Sequence, residues 1–348
     1  MNHTIDTAEP VLVTGATGYV AGWIIKGLLE AGVTVHATVR DSSKAKRLAH
    51  LNSIAEKSPG RIHFFDADLL TESSFDEAMW DTRVVFHTAS PFIRDVTDAQ
   101  RDLVQPAVQG TTNVLRTANR TPSVRRVVLT SSVAAMFGDA SELAATDGHL
   151  DESCWNTTSS LTHEPYPYSK TLAEKAAWEI AEEQDQWDLV TVNPALVLGA
   201  ALNDSPTSDS FSIVEQLMGG LGRFGIPNLT MTVVDVRDVA AAHIAAAYTP
   251  EAHGRYLVAA EATDLVDLGR RLKPHTARPR LVATRALPKP LAVLIAPVAG
   301  MDRAYARNNI GHPVHVATTR TPDELGVTYR AIDDALGEMV NQLQAVKS

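Results

Sequence analysis

The stretch Val11-Leu-Val-Thr-Gly-Ala-Thr-Gly-Tyr-Val-Ala-Gly-Trp23 decides the fold that this sequence predicts. A short β-branched run ends at Thr14, a glycine turn follows, and a helical pattern begins directly after the turn. Gly15 lets the chain turn tightly off the strand, and Gly18 leaves the backbone N–H groups at the helix N-terminus open to a pyrophosphate. We therefore predict a dinucleotide site rather than a turn that serves packing only. Its residues are Gly15, Thr17, Gly18, Tyr19 and Val20.

The composition limits the partners to consider. The 348 residues carry a formal net charge of −10, which argues against nucleic acid or an anionic membrane surface as the main partner. The single cysteine, Cys154, excludes an intrachain disulfide and is typical of a reducing compartment. The N-terminus has neither the basic start nor the apolar stretch of a secretory signal, and the apolar tract at 291–300 is too short to span a bilayer. These features predict a cytoplasmic protein.

Strand and helix patterns alternate along the first half of the chain. This alternation predicts a parallel sheet covered by helices on both faces, which is the doubly wound (Rossmann) α/β fold. The predicted strands are 11–14, 33–39, 62–65, 84–87, 127–130 and 189–192. The predicted helices are 23–30, 44–55, 75–80, 104–118 and 169–183.

The pattern changes beyond residue 197. A strand at 231–234 and an Ala-rich helix at 239–248 are predicted to return to the main sheet, and the remaining segments form a smaller C-terminal substrate-binding lobe. Ligands bind at the carboxyl ends of the strands in this fold, so the lobe should contact the substrate. The predicted division is a dinucleotide-binding domain (1–198, with 231–250 returning to it), the lobe (199–230 and 251–330) and a C-terminal helix (331–348).

A second informative stretch, Tyr166-Pro-Tyr-Ser-Lys170, opens a predicted helix. Residues four apart share one helix face, about 6 Å apart along the axis, so Lys170 can lie beside Tyr166. An unperturbed phenol has a pKa of about 10 and exchanges protons reluctantly near neutrality. We expect the Lys170 ammonium, together with an oxidised nicotinamide, to lower the pKa of Tyr166. Tyr166 would then protonate a carbonyl oxygen as a hydride reaches the carbonyl carbon. An exposed helical pair without chemistry is the alternative.

Such a site also needs a hydroxyl that holds the carbonyl oxygen. The strand at 127–130 leads into Ser131 and Ser132 at its carboxyl end, where chemistry belongs in this fold. We assign the role to Ser132 and keep Ser131 as the alternative.

The end of the second strand indicates which dinucleotide binds. NAD-binding proteins usually place Asp or Glu there to hold the ribose hydroxyls. This chain has Arg40 instead, and the next helix carries Lys44 and Arg47. A guanidinium can bind a 2′-phosphate and stack on adenine. We therefore predict NADPH/NADP+ as the cofactor. A solvated basic helix face, and a ribose contact from Asp41, are the alternatives.

Together these motifs resemble the extended short-chain dehydrogenase/reductases. Within them the chain is most similar to dihydroflavonol reductases, cinnamoyl-CoA reductases and microbial NADPH-dependent aldehyde and ketone reductases. The resemblance implies the family's fold and its Ser-Tyr-Lys catalytic group, which falls here on Ser132, Tyr166 and Lys170. The matching stretches run nearly end to end: Thr-Gly-Ala-Thr-Gly-Tyr-Val (14–20), Ala-Thr-Val-Arg-Asp (37–41), Asp-Ala-Asp-Leu (66–69), Val-Phe-His-Thr-Ala-Ser-Pro (85–91), Thr-Ser-Ser (130–132), Asp-Glu-Ser-Cys-Trp (151–155), Tyr-Ser-Lys-Thr-Leu-Ala-Glu (168–174) and Gly-Arg-Tyr (254–256).

The resemblance also implies further cofactor contacts. These follow the third, fourth and sixth predicted strands, where the family contacts the adenine edge, the length of the cofactor and the nicotinamide side. They fall on Asp68, Leu69, Thr88, Ala89, Ser90, Pro194 and Val197, while Lys170 also holds the nicotinamide ribose. Asn113 matches an Asn found in many relatives, with helix packing as the alternative.

Two positions depart from the family pattern. Ala21 replaces the third glycine, as in the microbial carbonyl reductases. Phe137 stands five residues after Ser132, where dihydroflavonol reductases have an Asn that reads the flavonoid ring, so we do not expect a flavonoid substrate. The Phe137 ring lies either in the substrate pocket or in the core.

The sequence thus predicts an NADPH-dependent reductase that transfers a hydride to the carbonyl of a hydrophobic ketone or aldehyde and gives the alcohol, reversibly. The twelve histidines show no paired metal-ligand spacing, so no metal is expected. One alternative is an NAD-dependent nucleotide-sugar epimerase or dehydratase, and another is a non-catalytic dinucleotide-sensing protein. The expected partner is the small-molecule carbonyl substrate, and the sequence does not distinguish a monomer from a homodimer.

Overall fold

The computed structural model describes residues 4–90, 96–203, 208–317 and 319–345. Pro91 of the family-like stretch 85–91, residues 204–207 of the predicted lobe and both chain ends lie outside this range. The described residues form twelve strands: β1 (Val11–Val13), β2 (Thr34–Val39), β3 (Arg61–Asp66), β4 (Val84–His87), β5 (Arg126–Thr130), β6 (His149–Leu150), β7 (Asp188–Pro194), β8 (Leu196–Leu198), β9 (Thr230–Asp235), β10 (Gly254–Val258), β11 (Glu261–Asp264) and β12 (His315–Val316).

The same residues form twelve α-helices that alternate with the strands in the first half of the chain. They are α1 (Tyr19–Glu30), α2 (Ala45–Ala55), α3 (Asp76–Met79), α4 (Gln105–Arg120), α5 (Pro165–Glu182), α6 (Asp209–Met218), α7 (Val236–Tyr248), α8 (Leu265–Leu272), α9 (Lys289–Ile295), α10 (Arg303–Asn309), α11 (Arg320–Leu325) and α12 (Ile332–Ala345).

Seven strands form one parallel sheet in the order β10-β7-β5-β4-β1-β2-β3, which confirms the predicted Rossmann fold. The chain builds outward from β1 in one direction through β2 and β3, and then in the other through β4. The strand order therefore reverses between β1 and β4, and this reversal opens a crevice beyond their carboxyl ends.

Successive residues of the central strands enter cores on opposite faces of the sheet. Val11 and Val13 pack in the core that contains Ile24 and Ile25 of α1. Leu12, between them, packs in the core that contains Leu115 of α4 and lies on the other face. Because both faces are covered, the strand sequences are continuously apolar rather than alternating.

A second sheet corrects the predicted placement of one strand. β9, predicted at 231–234 as a return to the main sheet, instead pairs with β8 and β11 in a three-stranded sheet. The strand that does join the main sheet is β10, which pairs in parallel with β7. The sequence places β10 in the lobe instead. The predicted helix at 239–248 does return, because α7 packs against α1. Both strands are apolar and buried, so their patterns predict burial but not the neighbouring strand.

Candidate active site

The glycine turn lies at the crevice, between β1 and α1. Gly15 has φ +67°, and a Cβ at this position would lie 2.9 Å from the Cα of Ala89. Both the backbone conformation and the close approach of the loop after β4 therefore require glycine. Gly18 is the N-cap of α1, and within the described chain no side chain caps this helix and no acidic residue lies in its first turn. The leading N–H groups of α1 are thus suited to an anion such as pyrophosphate.

Thr14 joins the carboxyl ends of β1 and β4. Its Oγ1 accepts hydrogen bonds from the amides of Thr88 (3.1 Å) and Ala89 (3.0 Å), and it lies 2.9 Å from Nδ1 of His87. Since Oγ1 already accepts two hydrogen bonds, its own proton goes to Nδ1, and the ring proton of His87 stays on Nε2. Burial lowers the pKa of His87 to about 3, which keeps this ring neutral. Sequence reasoning predicted Thr88 and Ala89 as site residues. It missed Thr14, which binds their amides, and His87, which binds Thr14.

Three basic side chains line one cavity after β2. The cavity has a volume of about 400 Å³ and is lined by Thr17, Val39, Arg40, Asp41, Lys44, Arg47 and Leu48. The structure thus brings the predicted Arg40, Lys44 and Arg47 together with Thr17 of the glycine turn.

Asp41, the alternative ribose ligand, has its carboxylate engaged locally. It accepts hydrogen bonds from Oγ (2.5 Å) and the amide (3.1 Å) of Ser43, and it pairs with Lys44 at 3.0 Å. Hydrogen bonds from the side chains of Ser43 and Lys44 hold the pKa of Asp41 below its usual range. This geometry favours the 2′-phosphate interpretation of the cavity over a ribose contact from Asp41.

Tyr166 and Lys170 lie in the first turns of α5, as the sequence predicts. The Lys170 Nζ is 5.8 Å from the centroid of the Tyr166 ring and donates a hydrogen bond to Oγ of Ser90 at 3.1 Å. Ser90 follows β4, so the contact brings a predicted cofactor-binding residue beside the predicted catalytic pair. Burial lowers the pKa of Lys170 to about 8, although the nearby Glu174 carboxylate opposes this shift.

The pKa of Tyr166 differs from the expectation for this chain on its own. Tyr166 is 47% exposed, yet the surrounding protein raises its pKa to about 12, and Asp209 of α6 acts in the same direction. In the chain on its own, burial is the main cause of the shift, and the Lys170 ammonium, 5.8 Å from the ring centroid, does not reverse it. The phenol is protonated at neutral pH.

The hydrogen bonds of Ser131 and Ser132 distinguish the two candidates. Ser131 is buried, and its hydroxyl donates to the Glu174 carboxylate. Ser132 is half-buried, and its Oγ accepts from the amide of Ala134 at 3.1 Å. An accepted hydrogen bond leaves the hydroxyl proton of Ser132 available to a carbonyl oxygen, whereas the proton of Ser131 is already committed.

The remaining candidates are distributed around the same crevice. Leu69 and Ser90 line a cavity of about 20 Å³ together with Lys170. Asp68 is exposed, and its carboxylate accepts from the amide of Leu70 at 2.8 Å. Pro194 ends β7 and Val197 lies in β8. All of these positions stay predictions for cofactor contacts.

Two further positions are in contact with the protein interior. The Asn113 amide donates to the backbone carbonyl of Leu69 at 2.8 Å, which is a packing contact of α4. Phe137 is half-buried and packs against the main core, which favours the core alternative over a side chain lying freely in the substrate pocket.

Two residues missed by sequence reasoning lie beneath the site. Glu174 of α5 and Arg255 of β10 form a buried ion pair, with Nε of Arg255 2.6 Å from Oε1 of Glu174. Both occur in stretches that matched the family pattern, but their 81-residue separation gave no sign that they meet.

Neither a metal centre nor a membrane span is found among the described residues. They contain no group of three or more His, Cys, Asp or Glu side chains that could hold a metal ion. No helix among them is both long and apolar enough to cross a membrane.

Known proteins with similar sequences include reductases of one family. A sequence model of the NAD dependent epimerase/dehydratase family matches residues 11–259. Cinnamoyl-CoA reductase CAD2 of Medicago truncatula is 35% identical over 343 residues, which cover 97% of this chain and 96% of that protein. An anthocyanidin reductase ((2S)-flavan-3-ol-forming) of Vitis vinifera is 38% identical over 269 residues, which cover 74% of this chain and 78% of that protein.

Solved structures resemble the chain over its whole length. Gre2 from Candida albicans, in complex with NADPH, superposes with a TM-score of 0.79 at 27% identity and covers 98% of this chain and 100% of that chain. Yeast methylglyoxal/isovaleraldehyde reductase Gre2, complexed with NADPH, has a TM-score of 0.78 at 27% identity, with coverage of 97% and 99%. The chain therefore belongs to the NAD dependent epimerase/dehydratase family, within the extended short-chain dehydrogenase/reductases.

Proposed function

We propose that this protein is an NADPH-dependent carbonyl reductase, which reduces a hydrophobic ketone or aldehyde to the alcohol in a reversible reaction. The observation that carries the proposal is the position of Lys170, which lies beside Tyr166 and donates a hydrogen bond to Ser90. Ser90 follows β4, whose carboxyl end lies next to the end of β1 and the glycine turn. The relatives named above support it, because they are named as reductases and the two Gre2 structures contain NADPH.

The residues around the crevice fit NADPH. The glycine turn provides close backbone approach and free N–H groups for the pyrophosphate, and the cavity with Arg40, Lys44 and Arg47 provides positive charge for the 2′-phosphate. Asp68, Leu69, Thr88, Ala89, Ser90, Pro194 and Val197 are the proposed contacts along the rest of the cofactor. When bound, NADPH supplies the hydride.

The chain's own residues then bind and protonate the carbonyl oxygen. Ser132 donates its free hydroxyl proton as a hydrogen bond to that oxygen and orients the carbonyl. As negative charge develops there, Tyr166 transfers its phenolic proton, so the carbonyl carbon gains a hydride and the oxygen gains a proton. The raised pKa of Tyr166 keeps the proton on the phenol at neutral pH, so the donor is in its protonated form before the carbonyl is bound. The exposed ring is then reprotonated from solvent.

The alternatives receive less support. An epimerase or dehydratase would hold NAD, and the basic cavity after β2 is suited to the phosphate that NAD lacks. A dinucleotide sensor would not need the set of Ser132, Tyr166 and Lys170. We place the protein in the cytoplasm on the basis of its charge and single cysteine.

One assay tests the proposal. NADPH consumption is followed with purified protein against aromatic ketones, β-keto esters, short aldehydes and nucleotide sugars. We expect consumption with at least one hydrophobic ketone or aldehyde and none with a nucleotide sugar. Conversion of a nucleotide sugar without net NADPH consumption would instead support the epimerase alternative.

A further inference from the structure

A buried polar network lies directly under the proposed catalytic residues. Its centre is the Glu174 carboxylate, which is 1% exposed. The carboxylate accepts hydrogen bonds from Asn193 Nδ2 (2.8 Å), Arg255 Nε (2.6 Å), Thr191 Oγ1 (3.3 Å) and the Ser131 hydroxyl. These donors come from β7, from β10 and from the residue directly after β5, so one side chain of α5 is bonded to three neighbouring strand segments of the main sheet.

Arg255 is held as firmly as its partner. Its Nη1 donates to the backbone carbonyls of Glu152 (3.0 Å) and Cys154 (2.5 Å), and its guanidinium lies 3.9 Å from the Trp155 ring centroid. This carbonyl pair and the aromatic ring fix the guanidinium independently of Glu174. Arg255 therefore keeps its place when the carboxylate is altered.

The network is connected to both halves of the catalytic set. Tyr166, Lys170 and Glu174 are spaced by four residues on α5, so they follow one another along one helix face. Lys170, Ser131 and Glu174 line the same cavity of about 20 Å³, a space of the size of one water molecule. Asn193 also donates to the backbone carbonyl of Ser132 at 3.2 Å.

We propose that Glu174 is a positioning residue of the reduction, which rests on the function proposed above. Its carboxylate aligns the strand end that carries Ser132 with the helix that carries Tyr166 and Lys170, and its negative charge keeps the Lys170 ammonium charged. Arg255 holds the carboxylate in place through the contact at 2.6 Å. Removing two charges from water costs free energy that a buried ion pair does not always regain, so the pair is weak support for stability. A positioning role in the site gives a reason for its presence.

Several of the elements around Lys170 carry titratable or charged groups. On α5 they are Tyr166 and Glu174, while α4 contributes the uncharged Ala107 and Thr111 to the cavity. The other titratable or charged groups of the surrounding elements are His87 at the end of β4, His243 of α7 behind Thr130, Arg255 of β10, and Asp209 of α6, which acts on Tyr166. His87 and His243 have pKa values of about 3 and about 4, so both are neutral above pH 6 and do not contribute to the alkaline titration.

The test measures the titration of Lys170 directly. Acetylation of Lys170 by acetic anhydride is followed by peptide mass spectrometry as a function of pH, in the parent and in Glu174→Gln. We expect the Lys170 pKa to fall by roughly half a unit to one unit in the variant, because an adjacent opposite charge is lost. The alkaline limb of kcat/KM at saturating NADPH should move down by the same amount.

Matched controls separate charge from packing. Thr191→Val removes a hydrogen bond to Glu174 without changing a charge, and Arg255→Lys keeps the positive charge, so neither should move the Lys170 pKa. Should Glu174→Gln fail to fold, Glu174→Gln combined with Arg255→Gln removes both buried charges. The Lys170 pKa should then fall by less than expected for the single variant, because loss of the Arg255 cation opposes loss of the Glu174 anion. An unchanged Lys170 pKa in Glu174→Gln, or equal shifts in Thr191→Val, would overturn the proposal. The acetylation result holds even if no carbonyl is reduced, so the two proposals fail separately.

Discussion

At the scale of single residues, the direction of each proton decides what the site can do. The hydroxyl proton of Ser131 points to Glu174, while that of Ser132 is free, although the two side chains are adjacent in sequence. Tyr166 keeps its proton because the surrounding protein raises its pKa to about 12, although nearly half of the residue is exposed. The chain alone is therefore set up with two donors for a carbonyl oxygen.

Replacing the proton donor gives the first prediction. Tyr166→Phe should reduce turnover by about 10²- to 10⁴-fold, the usual contribution of a general acid, while NADPH affinity stays nearly unchanged. Steady-state kinetics and NADPH fluorescence titration measure the two effects. Turnover within a few-fold of the parent, in a folded variant that binds NADPH, would remove Tyr166 from the mechanism.

Replacing Arg40, the residue proposed to bind the 2′-phosphate, gives the second prediction. Arg40→Ala should weaken NADPH binding about ten- to a hundredfold, since a charge-assisted hydrogen bond contributes about 1.5–3 kcal/mol. NADH binding should barely change, because NADH lacks the 2′-phosphate. Arg47→Ala, on the same cavity, is the matched control and should give a smaller effect in the same direction.

The dissociation constants of NADPH and NADH are measured by titration of the parent and of Arg40→Ala at two salt concentrations. The difference between NADPH and NADH should shrink as salt rises, because Arg40 is exposed. Equal weakening of NADPH and NADH in Arg40→Ala would contradict the assignment.

At the scale of elements, the sequence predicts what each segment does locally but not which segments meet. The strand-turn-helix order around Gly15 follows from β-branched residues, glycine and helical periodicity, all of which are local. The sequence could not predict that β10 joins the main sheet and β9 the three-stranded sheet, because both have the apolar pattern of a buried strand. For the same reason the pair Glu174 and Arg255 could not be predicted, because only the parallel order of β5, β7 and β10 brings the two residues together.

The turn between β1 and α1 allows a matched prediction. Gly15 and Gly32 both have positive φ, at +67° and +91°, so an Ala at either position costs about 1–2 kcal/mol of backbone strain. Only at Gly15 does a Cβ meet a close backbone atom, Ala89 Cα at 2.9 Å, whereas Gly32 has its nearest neighbour, Thr7 Cγ2, at 3.8 Å.

Both variants should therefore lose stability, and only Gly15→Ala should lose cofactor affinity. We expect its NADPH dissociation constant to rise roughly tenfold or more, equivalent to about 1.4 kcal/mol or more. Thermal unfolding and NADPH titration measure the two properties. Equal NADPH affinities in Gly15→Ala and Gly32→Ala would show that the close approach at Ala89 has no part in cofactor binding.

At the scale of the whole molecule, buried neutral histidines predict how stability depends on pH. His243 is fully buried, with Thr130 Oγ1 2.7 Å from Nε2 and the Val239 carbonyl 2.8 Å from Nδ1. Burial lowers its pKa to about 4, so the unfolded chain binds a proton that the folded chain does not. Stability should fall as the pH drops from about 6.5 toward 4, by up to about 1.4 kcal/mol per pH unit for this residue.

His243→Gln removes this titration and should make the acid loss of stability less steep, even if the variant is less stable at pH 7. Urea unfolding midpoints between about pH 7 and 4.5 give the slope. His149→Gln, at an exposed position, is the control and should keep the parent's slope. An unchanged slope in His243→Gln would mean that His243 is protonated in the folded protein.

The central claim for the whole molecule is that hydride passes from added NADPH to the carbonyl carbon of the substrate. It is tested most directly with NADPH deuterated at C4 on either face, an active ketone or aldehyde, and mass spectrometry of the alcohol. We expect one deuterium in the alcohol with one of the two labelled cofactors, and formation of this product about 10²- to 10⁴-fold more slowly in Tyr166→Phe. Product without deuterium from both labelled cofactors, formed at an undiminished rate, would contradict the central claim.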